Sequence, residues 1–268
     1  MDKGKAFRAL HETTFIIPNP WDVGTAKLLA HLGFKALATT SAGFAFSHGL
    51  PDGGVPFNVV IQHCKEIVAA TDLPVSADLE HGKGDSADSA AETIFAAEKA
   101  GLAGCSIEDS TGDPKNPVYD FSLAVERVAA AAEAARSFSR DFVFTARAEN
   151  FLVGRPDLDD TIRRLQAFEK AGADVLYAPA LPDVETVRAV CSAVSKPVNV
   201  LVRPGFAVDA LRDAGAKRLS LGSKLTTAAF GAVRNAAREM LDKGTFEFSK
   251  AEMPFIELQK LFAGGSKA

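Results

Sequence analysis

The chain has 268 residues, 47% hydrophobic and 24% charged, which are the proportions of an ordinary globular protein and exclude a fibre or a disordered tail. Thirty lysines and arginines stand against 34 aspartates and glutamates, a net charge of −4 with no long basic cluster, so nucleic acid is excluded as a partner on electrostatic grounds. No stretch approaches the roughly eighteen apolar residues that span a bilayer, and the first fifteen residues hold no apolar signal core, so a cytoplasmic protein with no membrane partner is expected. The three cysteines, Cys64, Cys105 and Cys191, are odd in number and far apart; they form neither a disulfide framework nor a CxxC metal knuckle, and reduced thiols suit the cytosol.

In chain order, short β-branched or aromatic runs alternate with longer helical patterns. Strands are predicted from Phe15 (FIIP), Lys35 (KALATT), Leu73 (LPVSAD), Ala103 (AGCSIED), Phe142 (FVFTAR), Ala173 (ADVLYAP), Lys196 (KPVNVL) and Ala216 (AKRLSLG). Amphipathic helices are predicted over 23–32, 59–70, 87–100, 123–135, 158–171, 184–194, 207–214 and 225–241, and Gly33, Gly101, Gly172 and Gly215 end four of them. Eight βα units in about 250 residues specify an α/β fold of the (β/α)8 barrel type, with a doubly wound sheet as the runner-up. No Pro- or Ser-rich linker interrupts them, so residues 1–243 read as one catalytic barrel domain. Residues 244–268 form a surplus helical tail whose Phe255, Ile256, Leu258, Leu261 and Phe262 are too apolar for water. The tail is expected to pack on another subunit of a homo-oligomer, a dimer or tetramer, with packing on its own barrel as the alternative.

In such a barrel the chemistry gathers at the carboxyl ends of the strands. The third strand ends Ser76-Ala77-Asp78-Leu79-Glu80, and a period of two puts Asp78 and Glu80 on one side. On the fourth, the same alternation aims Ser106 and Glu108 inward and Cys105 and Ile107 at the helices. Neighbouring strands lie about 4.8 Å apart, so the three acids converge. Three carboxylates that close call for a cation, and Mg²⁺, a hard ion with oxygen ligands, suits them. Asp85, Ser86, Asp88, Asp120, Asp157 and Asp183 read instead as helix caps. Arg147 ends the fifth strand, either as a bidentate clamp on a planar anion or as an internal partner of Glu149 or a metal acid. Glu149 is counted with the substrate-binding residues. After the second strand, Ser41-Ala42-Gly43 and the loop to Asp52-Gly53-Gly54 offer small residues that let backbone N–H groups approach an anion.

Together, NPWDVGTAKLLAHLGFKAL, TSAGFAFSHGLPDG, ADLEHGKGD, SIEDS and ARAENF make the chain resemble the phosphoenolpyruvate mutase/isocitrate lyase superfamily, from about Asn19 to Gly244. The resemblance implies a barrel whose last helix is exchanged between subunits. It implies Mg²⁺ held by Asp78, Glu80 and Glu108 with Asp52 in the outer shell, a 2-oxo acid carboxylate held by the backbone N–H groups of Ser41 to Gly43, and Arg147 on the substrate. The implied reaction makes or breaks a C–C or C–P bond beside a pyruvate enolate.

The lid after strand four departs from the lyases of that superfamily: Asp109 to Asp120 lacks their Lys-Cys-Gly-His and its proton-donating cysteine. Pro114-Lys115-Asn116 partly matches the phosphonomutase pattern, so Lys115 and Asn116 are expected to act on a phosphonate or 2-oxo acid substrate. His81 follows the metal acids as an acid–base group or a hydrogen bonder. His48 has a weaker claim, and His11, His31 and His63 read as surface or helix-packing residues. Phosphonomutase-like chemistry is the first expectation. Decarboxylation of oxaloacetate or cleavage of a substituted malate is the alternative. A phosphosugar barrel enzyme, using Arg203-Pro204-Gly205 and Leu221-Gly222-Ser223, and a non-catalytic 2-oxo acid binder are further readings.

Overall fold

The computed structural model describes residues 2–263, so Met1 and residues 264–268, the outer ends of the two expected segments, lie outside the described residues. Eight strands form one parallel sheet: β1 (Phe15–Ile17), β2 (Leu37–Ala38), β3 (Val75–Asp78), β4 (Gly104–Glu108), β5 (Val143–Arg147), β6 (Val175–Tyr177), β7 (Val198–Leu201) and β8 (Arg218–Ser220). Each begins within two residues of its predicted start. Their order, β1-β8-β7-β6-β5-β4-β3-β2, brings first and last strands together, and the N–H of Ala38 donates to the carbonyl of Pro18 at 3.0 Å to bridge the remaining seam. The sheet therefore curls into a nearly closed (β/α)8 barrel, which sets the doubly wound alternative aside.

Eleven helices are described: α1 (Lys3–Leu10), α2 (Val23–His31), α3 (Ser41–Ser47), α4 (Phe57–Ala69), α5 (Ala87–Lys99), α6 (Phe121–Arg136), α7 (Leu158–Ala171), α8 (Val184–Ser192), α9 (Val208–Asp213), α10 (Lys224–Lys243) and α11 (Phe255–Phe262). Sequence reasoning missed α1 and α3, both short and both starting outside the βα rhythm. Side-chain caps fix the starts of α2, α5, α7 and α8. Ser86, Asp157 and Asp183 accept the N–H groups of Ser89, Asp160 and Thr186, as expected, whereas Asp120 makes no side-chain cap and Asp85 serves elsewhere. Gly172 ends α7 at φ 111°, a backbone conformation that residues with a side chain rarely adopt, and a Cβ there would also press on Ala132 at 3.1 Å.

The amino end of the barrel is plugged. Phe7 of α1 is fully buried with Ile17, Ala36, Ala103, Val143 and Val175, and Arg8 bonds Asp141 (2.8 Å) and Asp174 (2.7 Å) at the rim. Gly4 lies so close to the Asp141 carbonyl that an added Cβ would sit 1.8 Å from its oxygen. At the far end of the chain, α10 passes over α3, with Thr226 against Gly43, and α11 lies on α2, with Phe262 beside Gly24. Phe255 and Ile256 remain 70% and 61% exposed. Among the described residues no helix is long and apolar enough to cross a membrane.

Candidate active site

A cavity of about 540 Å³ opens at the carboxyl ends of the strands and reaches into the barrel, because the inward positions Ser76, Ser106 and Asn199 are small or polar and leave the interior unfilled. Asp78 enters it from the end of β3, Glu108 from β4 and Arg147 from β5, as the alternation predicts, whereas Glu80 reaches it from the turn that follows β3; Cys105 and Ile107 are buried in the core. Glu80 turns back into the mouth with φ 51°, the left-handed region, and its carbonyl accepts the Glu108 N–H at 2.9 Å.

Arg147 is the hub. Its Nη1 lies 2.6 Å from Asp78, its Nη2 2.9 Å from Glu108 and its Nε 2.9 Å from Glu149. The guanidinium also sits 5.2 Å from the centre of the Tyr177 ring. All three of its nitrogens are thus engaged by protein carboxylates, and of the two sequence readings the internal partner is the one observed. Burial alone would pull the Arg147 pKa down, but Glu108, Glu149 and Asp78 more than offset it and keep the group cationic. Glu149, only 1% exposed, does not line the cavity; it stands behind Arg147 and orients it, which corrects its assignment to substrate contact.

One arginine cannot neutralise this many acids. Burial, then Asp78 and Asp52, pushes Glu80 up to about 7. Burial and Asp78 raise Asp52. Burial likewise raises Glu108 and Glu149. The mouth therefore holds fewer negative charges than it has carboxyl groups until a cation arrives. Burial and then Arg127 lower His81, which lines the cavity and stays neutral at pH 7.

The stretch after β2 is the first turn of α3 rather than an open loop. The Thr40 side chain accepts the Gly43 N–H at 3.2 Å, and the Ser41 N–H and hydroxyl point at Asp78 at 3.4 and 3.0 Å. Of the three expected amides only that of Ala42 lines the cavity without an acceptor among the described residues. Gly43 does not line it: the residue is buried, and a Cβ there would collide with Thr226 at 2.5 Å.

The lid is tethered. Ser110 bridges Val118, the Tyr119 hydroxyl donates to Asp85 at 2.6 Å, and the Arg127 guanidinium stacks 4.4 Å from the Tyr119 ring centre. Arg127 also donates to the carbonyls of Gly84 (2.7 Å), Ser86 (3.1 Å) and His81, pinning the lid's base to the loop that follows β3. Ser110 and Gly112 reach the cavity. Lys115 and Asn116 do not: the bridge holds the tip outward, and both are exposed with their N–H groups on Asp113.

The amides expected for a sugar phosphate are also occupied. Leu221 and Gly222 both donate to the Asn19 side chain, at 2.9 and 3.1 Å, and Arg203 bonds the Pro182 carbonyl on the surface. Sequence reasoning overlooked Tyr177, Asn199, Arg218 and Ser220, all on the cavity wall. The period of two that located Glu108 marks Arg218 and Ser220 equally in KRLSLG. His11 is buried beneath the cavity, not on the surface. The cysteines are unpaired, and burial pushes Cys64 up to about 12 and Cys191 up to about 11, which leaves inert thiols.

Among known proteins, a Burkholderia cenocepacia J2315 structure described as a lyase/mutase is 50% identical, with a TM-score of 0.96 over 99% of this chain and 97% of that one. The 2-methylisocitrate lyase of Escherichia coli K12 is 32% identical over 226 residues, 79% of this chain and 75% of the lyase. A phosphonopyruvate hydrolase structure with oxalate and Mg²⁺, 23% identical, shares the fold with a TM-score of 0.86 over 98% of this chain and 95% of that one. Residues 7–241 match the family of phosphoenolpyruvate phosphomutase, so the chain belongs to the phosphoenolpyruvate mutase/isocitrate lyase superfamily.

Proposed function

We propose that this protein is a Mg²⁺-dependent enzyme that makes or breaks a C–C or C–P bond beside the enolate of a small 2-oxo acid. The observation that carries the reading is the gathering of Asp78, Glu108 and Glu149 on Arg147, with Glu80 and Asp52 alongside, at the mouth of a cavity sized for a small acid.

The donor set fits the metal. It consists of carboxylate oxygens without thiol or imidazole, the chemistry of a hard cation, and the acids are crowded enough that Glu80 is pushed up to about 7 without one. Among the described residues no three metal-ligating side chains stand close enough to form a ready-made cage, so the acids would have to draw together or reach the ion through water. Asp78, Glu80 and Glu108 would hold it, with Asp52 behind. When bound, it supplies Lewis-acid stabilisation of the negative charge that develops on the substrate oxygens.

The chain's own residues do the rest. Arg147 fixes three carboxylates in one orientation, so the mouth is organised before substrate arrives. The Ala42 N–H faces the cavity and is free to donate to the substrate's carboxylate. Neutral His81 can take up a proton beside the metal acids.

Between the two bonds, C–C cleavage of an oxaloacetate- or malate-like acid is the better supported, because the lid offers the cavity only Ser110 and Gly112 and no cation for a migrating phosphonyl group. Phosphonomutase chemistry is the second reading, on the observation that Lys115 and Asn116 sit on the segment leaving β4 above the cavity. Incubation with Mg²⁺ and oxaloacetate, substituted malates or phosphonopyruvate, followed by coupled pyruvate detection and ³¹P NMR, tests both. Mg²⁺-dependent cleavage of a C–C substrate is expected; phosphonate turnover alone would install the second reading, and binding without turnover would leave a non-catalytic binder.

A further inference from the structure

The charges at the mouth have a counterpart at the floor. Arg218 of β8 projects into the barrel interior, 5% exposed, and lines the cavity. Its Nε donates to Asn199 Oδ1 at 2.9 Å, its Nη2 to Thr145 Oγ1 at 3.0 Å on the opposite side of the barrel, and its Nη1 approaches His11 Nε2 at 3.5 Å. His11 Nδ1 lies 2.9 Å from the Phe7 carbonyl, which can only accept, so the proton resides on Nδ1 and Nε2 presents a lone pair to Arg218. Burial, reinforced by the Arg218 charge, holds His11 down to about 3 and therefore neutral.

Every partner of Arg218 is thus uncharged, and no carboxylate lies within ion-pair reach of it among the described residues. A buried cation without an anion is costly, and at least two of its five N–H groups have no acceptor. The contrast with Arg147, which meets three carboxylates, is direct. Around Arg218 the floor presents more donors. Asn199 donates to Ser220 Oγ at 2.9 Å, the Ser220 and Tyr177 hydroxyls bond each other and leave one hydroxyl proton of the pair to give, and burial pushes the Tyr177 phenol up to about 12 so that it stays protonated. The cavity is polarised, with acids at its mouth and one unpaired guanidinium flanked by hydroxyls at its base.

We propose that Arg218, with the hydroxyls of Tyr177 and Ser220, forms an anion subsite that receives the second carboxylate of a short dicarboxylic 2-oxo or 2-hydroxy acid. This rests on the proposed function and deepens it: the mouth with its cation takes the 2-oxo or 2-hydroxy acid end, and the floor selects dianions over monoanions. A guanidinium in a desolvated pocket is well suited to a carboxylate, since its planar fork matches the two oxygens and its charge is screened little by water.

The test is calorimetric titration of the full-length protein in Mg²⁺ with malate and lactate, which differ by one carboxylate. The wild type is expected to bind malate at least tenfold more tightly, and malate 4-methyl ester no better than lactate, a comparison that needs no variant. Arg218→Gln should cut the malate-to-lactate ratio at least fivefold with lactate affinity kept within twofold, and Arg218→Lys should retain most of the preference. Equal weakening of both ligands in Arg218→Gln, an unchanged ratio, or a wild type that binds both acids alike overturns the subsite and leaves the chemistry at the mouth standing. A folded wild type that binds neither acid overturns the subsite and the proposed function together.

Discussion

The two ends of this barrel are built on opposite principles. The amino end is closed by α1, whose Phe7 fills the space between five small or branched neighbours and whose Arg8 meets two aspartates at the rim. The carboxyl end stays open and gathers more acids than its one arginine can neutralise, with Glu80 pushed up to about 7. Packing satisfied at one end permits electrostatic tension at the other. Sites that bind charged ligands keep such tension because the ligand relieves it.

The largest expected effect concerns the rim of the open end. Phe246, Phe255 and Ile256 of the tail are exposed, and burial of each between copies of the chain would contribute roughly 1.5–3 kcal/mol. Deletion of residues 244–268 is expected to turn an oligomer into monomers or aggregates by light scattering; an unchanged oligomer would place the subunit interface elsewhere. At the closed end, Phe7→Ala should lower stability to denaturant by about 3–5 kcal/mol while each folded molecule keeps its activity. A loss of activity out of proportion to unfolding would show that the two ends are not separable.

His63, beside the mouth, tests whether burial rather than pairing governs this side of the molecule. Its ring stacks on Phe44 with centroids 3.8 Å apart, its Nε2 has no partner, and burial lowers its pKa to about 4. The unfolded chain takes up that proton near 6.5 and the folded chain only near 4, so the contribution of neutral His63 is full above pH 6.5 and lost as pH falls. His63→Phe, which keeps the stack, should remove up to roughly 3 kcal/mol of the stability change between pH 6.5 and 4. Superimposable pH curves for the two proteins would contradict the assignment.

Asp78→Asn is expected to lower kcat/KM at least about 100-fold, a loss of about 2.7 kcal/mol in the transition state, together with Mg²⁺ affinity. In chelator its melting temperature should stay close to that of the wild type, since one crowded charge is gone but so is one of the three carboxylates on Arg147. Full activity at low Mg²⁺ would sink the metal assignment. The smallest expected effect is at the lid tip: Lys115→Ala should change kcat/KM on a C–C substrate less than about twofold, whereas a tenfold fall, about 1.4 kcal/mol, would restore phosphonyl transfer to first place.

Much of the molecule follows from local pattern. Eight β-branched runs, their alternating helices and the glycine corners are set by interactions within a few residues, and they specify the barrel. Strand alternation likewise aims Asp78, Glu108 and Arg147 inward, because the side-chain period of two holds along a strand, while Glu80 is brought in by the left-handed turn past β3. What depends on neighbours across the barrel was not legible. Whether Arg147 faces substrate or protein is decided by Asp78 and Glu108, which come from two earlier strands, with Glu149 just beyond its own strand taking the third side. The Ser41 amide turns to Asp78 and the Leu221 and Gly222 amides to Asn19, through partners 37 and about 200 residues away. The Ser110–Val118 bridge and the Tyr119–Asp85 bond turn Lys115 outward. Arg218 reads in sequence as one more basic residue; only closure of the sheet, which sets it above His11 and opposite Thr145 with no acid in reach, makes it an unpaired cation. Local geometry fixes which way a side chain points, and the tertiary fold alone decides what it meets there.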